Sequence, residues 1–205
     1  NAGSLLYRLG RLDEAEQALL KSLKIFEDVE YASGQATALS SLGEIYEARG
    51  EFENAIDVLT RSLAVTPNKS PSRIAMNYAV LARLHSRTGD LESARHFASR
   101  GNRAAQELGT PESAATSLLA SAQVALASSE LEIAQQDLHD ALTLFRQVDN
   151  PAGIAAVMIE LARVAIVDNR KSDAAASLSQ ARGLLERAPH FGLQVELEVV
   201  ETEVE

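Results

Sequence analysis

The sequence predicts an all-α protein, a right-handed α-solenoid built from antiparallel helix pairs. Three observations carry that prediction. First, the segments LDEAEQAL, FENAIDVL, LESARHFA, LEIAQQDL and KSDAAASL place Ala15, Ala55, Ala94, Ala134 and Ala174 at spacings of 40, 39, 40 and 40 residues. Self-similarity at such a period marks stacked units that cannot bury their apolar faces alone. Second, the apolar spacing inside each period is helical. Third, the chain is 46% apolar but only 4% aromatic, and Ala, Leu, Glu, Gln and Arg, all strong helix formers, dominate it.

The second period is the clearest. Leu39, Leu42, Ile45 and Tyr46 form one apolar stripe on its first helix. Gly50 ends that helix, because the chain turns back through a left-handed residue that costs glycine little. A second helix then returns Phe52, Ala55, Leu59, Ser62 and Leu63 onto the first. In the other periods the turning position holds Gly10, Gly89, Ser129 and Asn169; Asn tolerates the left-handed conformation and Ser is a poorer choice. Small residues mark the pivot of each pair, with Gly43, Ala82, Ala122 and Ala162 facing Ala55, Ala94, Ala134 and Ala174. Missing bulk there lets two helices approach closely. Pro67, Pro71, Pro111, Pro151 and Pro189 fall between units, where they interrupt no helix. In the fifth period Lys171 stands where Leu12, Phe52, Leu91 and Leu131 stand elsewhere. Its stem is expected along the apolar seam with the ammonium in water, so Lys171→Leu is expected to stabilise the array slightly.

The stretch LxxLGEIYEARGEFENAIDVLTRSLAVTP resembles a tetratricopeptide repeat, through Leu42, Gly43, Tyr46, Gly50, Ala55, Leu59, Ser62 and Pro67. The family's usual period is about 34 residues; the 40-residue spacing lengthens both helices by less than a turn each. The joints LGTPESAATSLLA and LFRQVDNPAGIAAVMIELARV resemble the longer arrays of bacterial signal-responsive regulators. The resemblance covers one array over residues 1–205. It divides into a partial repeat 1–35, repeats 36–74, 75–114, 115–154 and 155–194, and a truncated repeat 195–205.

Such families bind partners along the concave surface lined by the first helix of each pair. The resemblance therefore implies a protein or peptide partner, and it puts Glu44, Glu47, Met76, Arg83, Arg87, Leu119, Gln123, Leu126, Ile159, Arg163, Ile166 and Val167 on that surface. Two readings stay open for each part of it. The Glu44/Glu47 and Arg83/Arg87 rows form either a cross-repeat ion-pair ladder or a partner contact. The apolar stretch from Leu119 to Val167 is either a groove for an amphipathic helix or extended peptide, or a surface covered by further helices. Relatives that grip a chaperone's C-terminal carboxylate use Lys, Asn and Arg at set positions; Ser40, Ser41, Glu44, Val80 and Ala120 occupy them here, so that clamp is not implied.

Other chemistry finds little footing. His85, His96, His139 and His190 lie in different units with no ligand spacing, and His85 takes a packing position held by Tyr46 in the second unit. There is no Cys, no glycine-rich phosphate loop and no GxSxG element, so no enzyme activity, metal or cofactor is expected. The net charge of −10, with only four scattered Lys, argues against direct binding of nucleic acid. No apolar run reaches the roughly 18 residues that a membrane span needs, and no signal peptide is visible. Together with the missing Cys this suggests a cytoplasmic protein. The chain starts with Asn rather than Met, as a piece of a longer chain would. Three functions are compatible with this reading. One is a partner-binding module. Another is a regulatory arm packing on its own parent chain, or a homodimer formed through uncapped repeat ends. The third, small-molecule sensing, has few aromatic or convergent polar groups in the sequence to support it.

Overall fold

The computed structural model describes residues 2–67 and 70–204, so Asn68 and Lys69 of the 36–74 unit, and residues 1 and 205, lie outside the described residues. Within these residues the chain is an α-solenoid. Its helices run α1 Ala2–Arg8, α2 Leu12–Asp28, α3 Ala32–Ala48, α4 Phe52–Val65, α5 Pro71–Thr88 and α6 Leu91–Leu108. They continue with α7 Pro111–Ala127, α8 Leu131–Gln147, α9 Pro151–Val167, α10 Lys171–Arg187 and α11 Phe191–Val204. Consecutive helices form the antiparallel pairs α1/α2 to α9/α10, and each pair stacks on the next.

Local chemistry explains where each helix starts. Pro71, Pro111 and Pro151 open α5, α7 and α9 at the first turn, where a missing N–H costs nothing. The side chains of Thr110 and Asn150 accept from the backbone N–H groups of Ser113 and Gly153, at 3.2 and 2.9 Å, and so cap α7 and α9. These starts place the sequence divisions at 35/36, 74/75, 114/115, 154/155 and 194/195 inside α3, α5, α7, α9 and α11. The proline and cap residues belong to the helix that follows them, which moves each pair one turn towards the N-terminus.

The helix ends behave as the sequence indicates. Gly10, Gly50, Gly89, Ser129 and Asn169 all have positive φ, between 57° and 81°. At Ser129 the next N–H, that of Glu130, bonds the carbonyl of Ala125 at 2.8 Å and closes the turn. Glu30, Gly109 and Asp149 make the corresponding left-handed turns after the second helices.

The small-residue pivot is buried throughout, with Ala15, Ala55, Ala94, Ala134 and Ala174 fully inaccessible. A methyl group at Gly43 would sit 2.9 Å from Leu59 Cγ, which is why the α3/α4 contact is so close. Around the pivots, Leu42, Ile45, Leu81, Leu84 and Leu138 are the large side chains of the ribbon-like core. Burying each contributes about 1.5–3 kcal/mol. His85 packs as expected, stacked on Phe97 with ring centroids 5.2 Å apart. Lys171 differs from expectation: its side chain is exposed, and its ammonium donates to the backbone carbonyl of Val204 at 2.9 Å. It ties the start of α10 to the end of α11, so the gain expected of Lys171→Leu is offset by a lost hydrogen bond.

The helix α11 does more than extend the stack. Its Leu197 and Val200 join the core cluster of α8, α9 and α10, and the opposite face of α11 reaches across the concave side to α1 and α3. The two ends of the array therefore meet.

Candidate functional site: a concave channel closed by the last helix

Closure turns the concave groove into a channel of about 730 Å³. Its walls are the first helices α3, α5, α7 and α9, with Tyr7 of α1 at one end and α11 as the closing side. A stripe of Met76, Val80, Leu119 and Leu193 supplies apolar surface, and Met76 is 54% exposed.

The charges of the channel are arranged in pairs. Arg83 grips both carboxylate oxygens of Glu47, at 2.6 and 2.9 Å. Burial opposes the Arg83 charge, and the carboxylates of Glu47, Glu196 and Glu160 more than offset it. Arg87 lies over the Phe52 ring, 5.7 Å from its centroid, and donates to Glu196 of α11 at 2.6 Å. Arg163 also reaches Glu196, at 3.4 Å, and approaches Glu160 at 3.7 Å. Burial and the neighbouring Glu196 raise the pKa of Glu160, whose Oε1 accepts from Gln123 at 2.8 Å. His190, at the entry to α11, is pushed below the usual histidine range, chiefly by burial. The cross-repeat ladder is therefore partly buried rather than a surface feature.

Glu44 stands apart. Its side chain is open to the channel, and among the described residues it forms no hydrogen bond or ion pair. Desolvation by the surrounding protein and the charge of Glu47 push its pKa up to about 7, against the pull of Arg83. The same region holds the Tyr7 phenol well above its ordinary value, through burial first and Glu44 second.

Of the residues expected on the concave surface, Glu44, Glu47, Met76, Arg83, Arg87, Leu119, Gln123 and Arg163 line the channel. Four do not. Ile159 is 0% exposed and belongs to the core, beneath Leu197 and Val200 of α11. Leu126 and Ile166 pack against that same core cluster rather than facing the channel. Val167 is 60% exposed, but it ends α9 outside the channel lining. For Ile159 and Ile166 the reason is α11: a helix stacked on α9 converts the apolar face expected to be a groove into interior.

Sequence reasoning missed Asn77 and the α11 wall. Asn77 is 1% exposed and donates to Ser62 Oγ at 2.9 Å, while Ser62 donates to the carbonyl of Ala36 at 3.0 Å. Ser40 completes this network at the channel floor, 2.9 Å from Ser62 Oγ. A polar residue inside an otherwise apolar helical stripe was the available signal. Among the described residues, no group of three or more His, Cys, Asp or Glu side chains is placed to hold a metal ion. No described helix is long and apolar enough to cross a membrane.

Known proteins share this architecture. Residues 1–68 match a tetratricopeptide repeat family model. BtubC (BKLC) from P. vanneervenii superposes with a TM-score of 0.64 at 18% identity, over 94% of this chain and 84% of its own. The Q17M variant of nearly identical TPR-like repeats, from a Podosopora anserina protein assigned to the kinesin light chains, gives 0.61 at 19% identity. It covers 91% of this chain and 92% of its own. At these identities the likeness is one of fold. No curated protein matches the sequence. Residues 1–68 are thus similar to tetratricopeptide repeats, and the same helix pair recurs through α10.

Proposed function

We propose that the chain is a cytoplasmic protein-interaction module that holds a segment of a partner protein in its concave channel and has no catalytic role. The observation that carries this reading is the channel itself, about 730 Å³ and lined by a continuous apolar stripe beside ordered charged groups. Binding sites combine apolar walls with a few placed polar groups in this way. The buried ion pairs fix the channel's shape before anything enters, which lowers the ordering cost of binding.

The test is affinity capture followed by calorimetry with the purified captured protein. Wild type should bind it, and Met76→Glu/Leu119→Glu should lose about tenfold or more in affinity while keeping its helical circular dichroism. Unchanged binding by that variant would remove the channel from the mechanism.

A second reading makes the array a regulatory arm of a larger bacterial signalling or transcription regulator. It draws on α11, which already places Glu196 and Leu193 of the chain's own sequence against the channel. In that case the captured protein is the parent chain. End-to-end homodimers draw less support, because Tyr7 and Phe191 at the two ends pack on each other.

A further inference from the structure

The balance of charge inside the channel points to the kind of segment it takes. Four arginines line it, and each is already matched: Arg49 by Glu16 and Asp13, Arg83 by Glu47, Arg87 by Glu196, and Arg163 by Glu196 and Glu160. A carboxylate on a ligand would have to displace one of these, and Glu47 and Glu196 are held in partly buried contacts that are costly to break. Glu44 is the group left over. It lines the channel without a hydrogen bond or ion pair among the described residues, in the same lining as Tyr7, Met76 and Val80.

We propose that the channel selects a partner segment carrying a Lys or Arg side chain, which pairs with Glu44 while an adjacent apolar residue rests on Met76 and Leu119. The sign is opposite to that suggested by Arg83 and Arg87 alone. It deepens the reading of the channel as a peptide groove and rests on it. Two further facts agree. The charged groups facing Glu44 are Glu47 and Arg83, with the Tyr7 phenol beside them, and Arg83 is committed to Glu47, so no cation in the channel is spare. The net charge of −10 also favours encounter with a basic segment over an acidic one.

The test pans a phage-displayed library of random short peptides on wild type, Glu44→Gln, Glu44→Lys and Met76→Glu/Leu119→Glu, then titrates the best wild-type peptide by fluorescence polarisation. Peptides enriched on wild type should carry Lys or Arg beside a large apolar residue. Their affinity should fall about tenfold with Glu44→Gln, and equally when the basic residue is changed to Ala. Glu44→Lys should enrich acidic peptides instead. Acidic or uncharged selections, or peptides indifferent to Glu44→Gln yet lost on Met76→Glu/Leu119→Glu, would overturn the role of Glu44 and leave the peptide groove standing. No enrichment on any protein would remove both.

Discussion

Tyr7 of α1 meets Phe191 at the head of α11 edge to face, with ring centroids 5.6 Å apart and planes at 79°. The two residues come from opposite ends of the array, so their contact closes the concave side. Gly10 and Gly192 make room for it: a methyl group at Gly10 would lie 3.0 Å from the Phe191 ring, and one at Gly192 would lie 2.6 Å from the Tyr7 hydroxyl. Nearest-neighbour contacts dominate a solenoid's stability, and this closure adds a long-range term to them.

Phe191→Ala tests that term. Removing the ring deletes an aromatic pair and its apolar contact, and should cost about 2–4 kcal/mol, a little less than a fully buried Phe would. Hydrogen exchange should quicken at both α1 and α11, because each holds the other. Faster exchange confined to α11 would show that the ends do not support one another.

The pair Arg87–Glu196 should behave as a coupled unit. Glu196 is 9% exposed and accepts from Arg87 at 2.6 Å. Glu196→Gln leaves Arg87 and Arg163 undercompensated in the channel and should destabilise the fold by about 1–3 kcal/mol. Adding Arg87→Met to Glu196→Gln should cost less than the sum of the two single changes, as residues in one network do. Strict additivity in a double-mutant cycle of chemical denaturation would contradict the pairing.

Much of this architecture was legible in the sequence, and the reasons are local. Gly50 and its counterparts were readable because a left-handed helix end narrows the residue choice, and Ala55 and its counterparts because close helix contact tolerates little bulk. The burial of Ile159 was not readable. It depends on whether another helix stacks on α9, and a division at 194/195 leaves too short a remnant to do so, whereas α11 begins at Phe191 and runs to Val204. The bond from Arg87 to Glu196 was illegible for a different reason. It joins residues outside the repeat period, so no spacing announces it.

Ser129→Gly should stabilise the array by about 1 kcal/mol. Ser129 holds φ at 61°, a conformation that costs an L-residue roughly 1–2 kcal/mol more than glycine, partly offset by glycine's entropy in the unfolded chain. Its side chain is exposed, so the substitution removes no buried contact. Thermal unfolding should show a higher midpoint; a lower one would mean that the hydroxyl makes a contact that outweighs the strain.

Glu44 should leave a signature in the pH dependence of stability. Its pKa in the folded chain is pushed up to about 7, above the ordinary carboxylate value of 4.5, by desolvation and by Glu47. Below the unfolded value both states carry the proton and no difference arises. As pH rises from there to about 7, the unfolded chain releases the proton while the folded chain keeps it, so stability falls over that window and levels off above it. Glu44→Gln removes this slope. The difference in melting temperature between Glu44→Gln and wild type should therefore widen in favour of the variant from acid to neutral pH and then stay constant. A basic peptide bound against Glu44 should reverse the trend, because it favours the ionised carboxylate, and its affinity should rise with pH across the same window. Parallel melting curves for the two proteins from acid to neutral pH would mean that Glu44 is solvated as freely as a surface carboxylate.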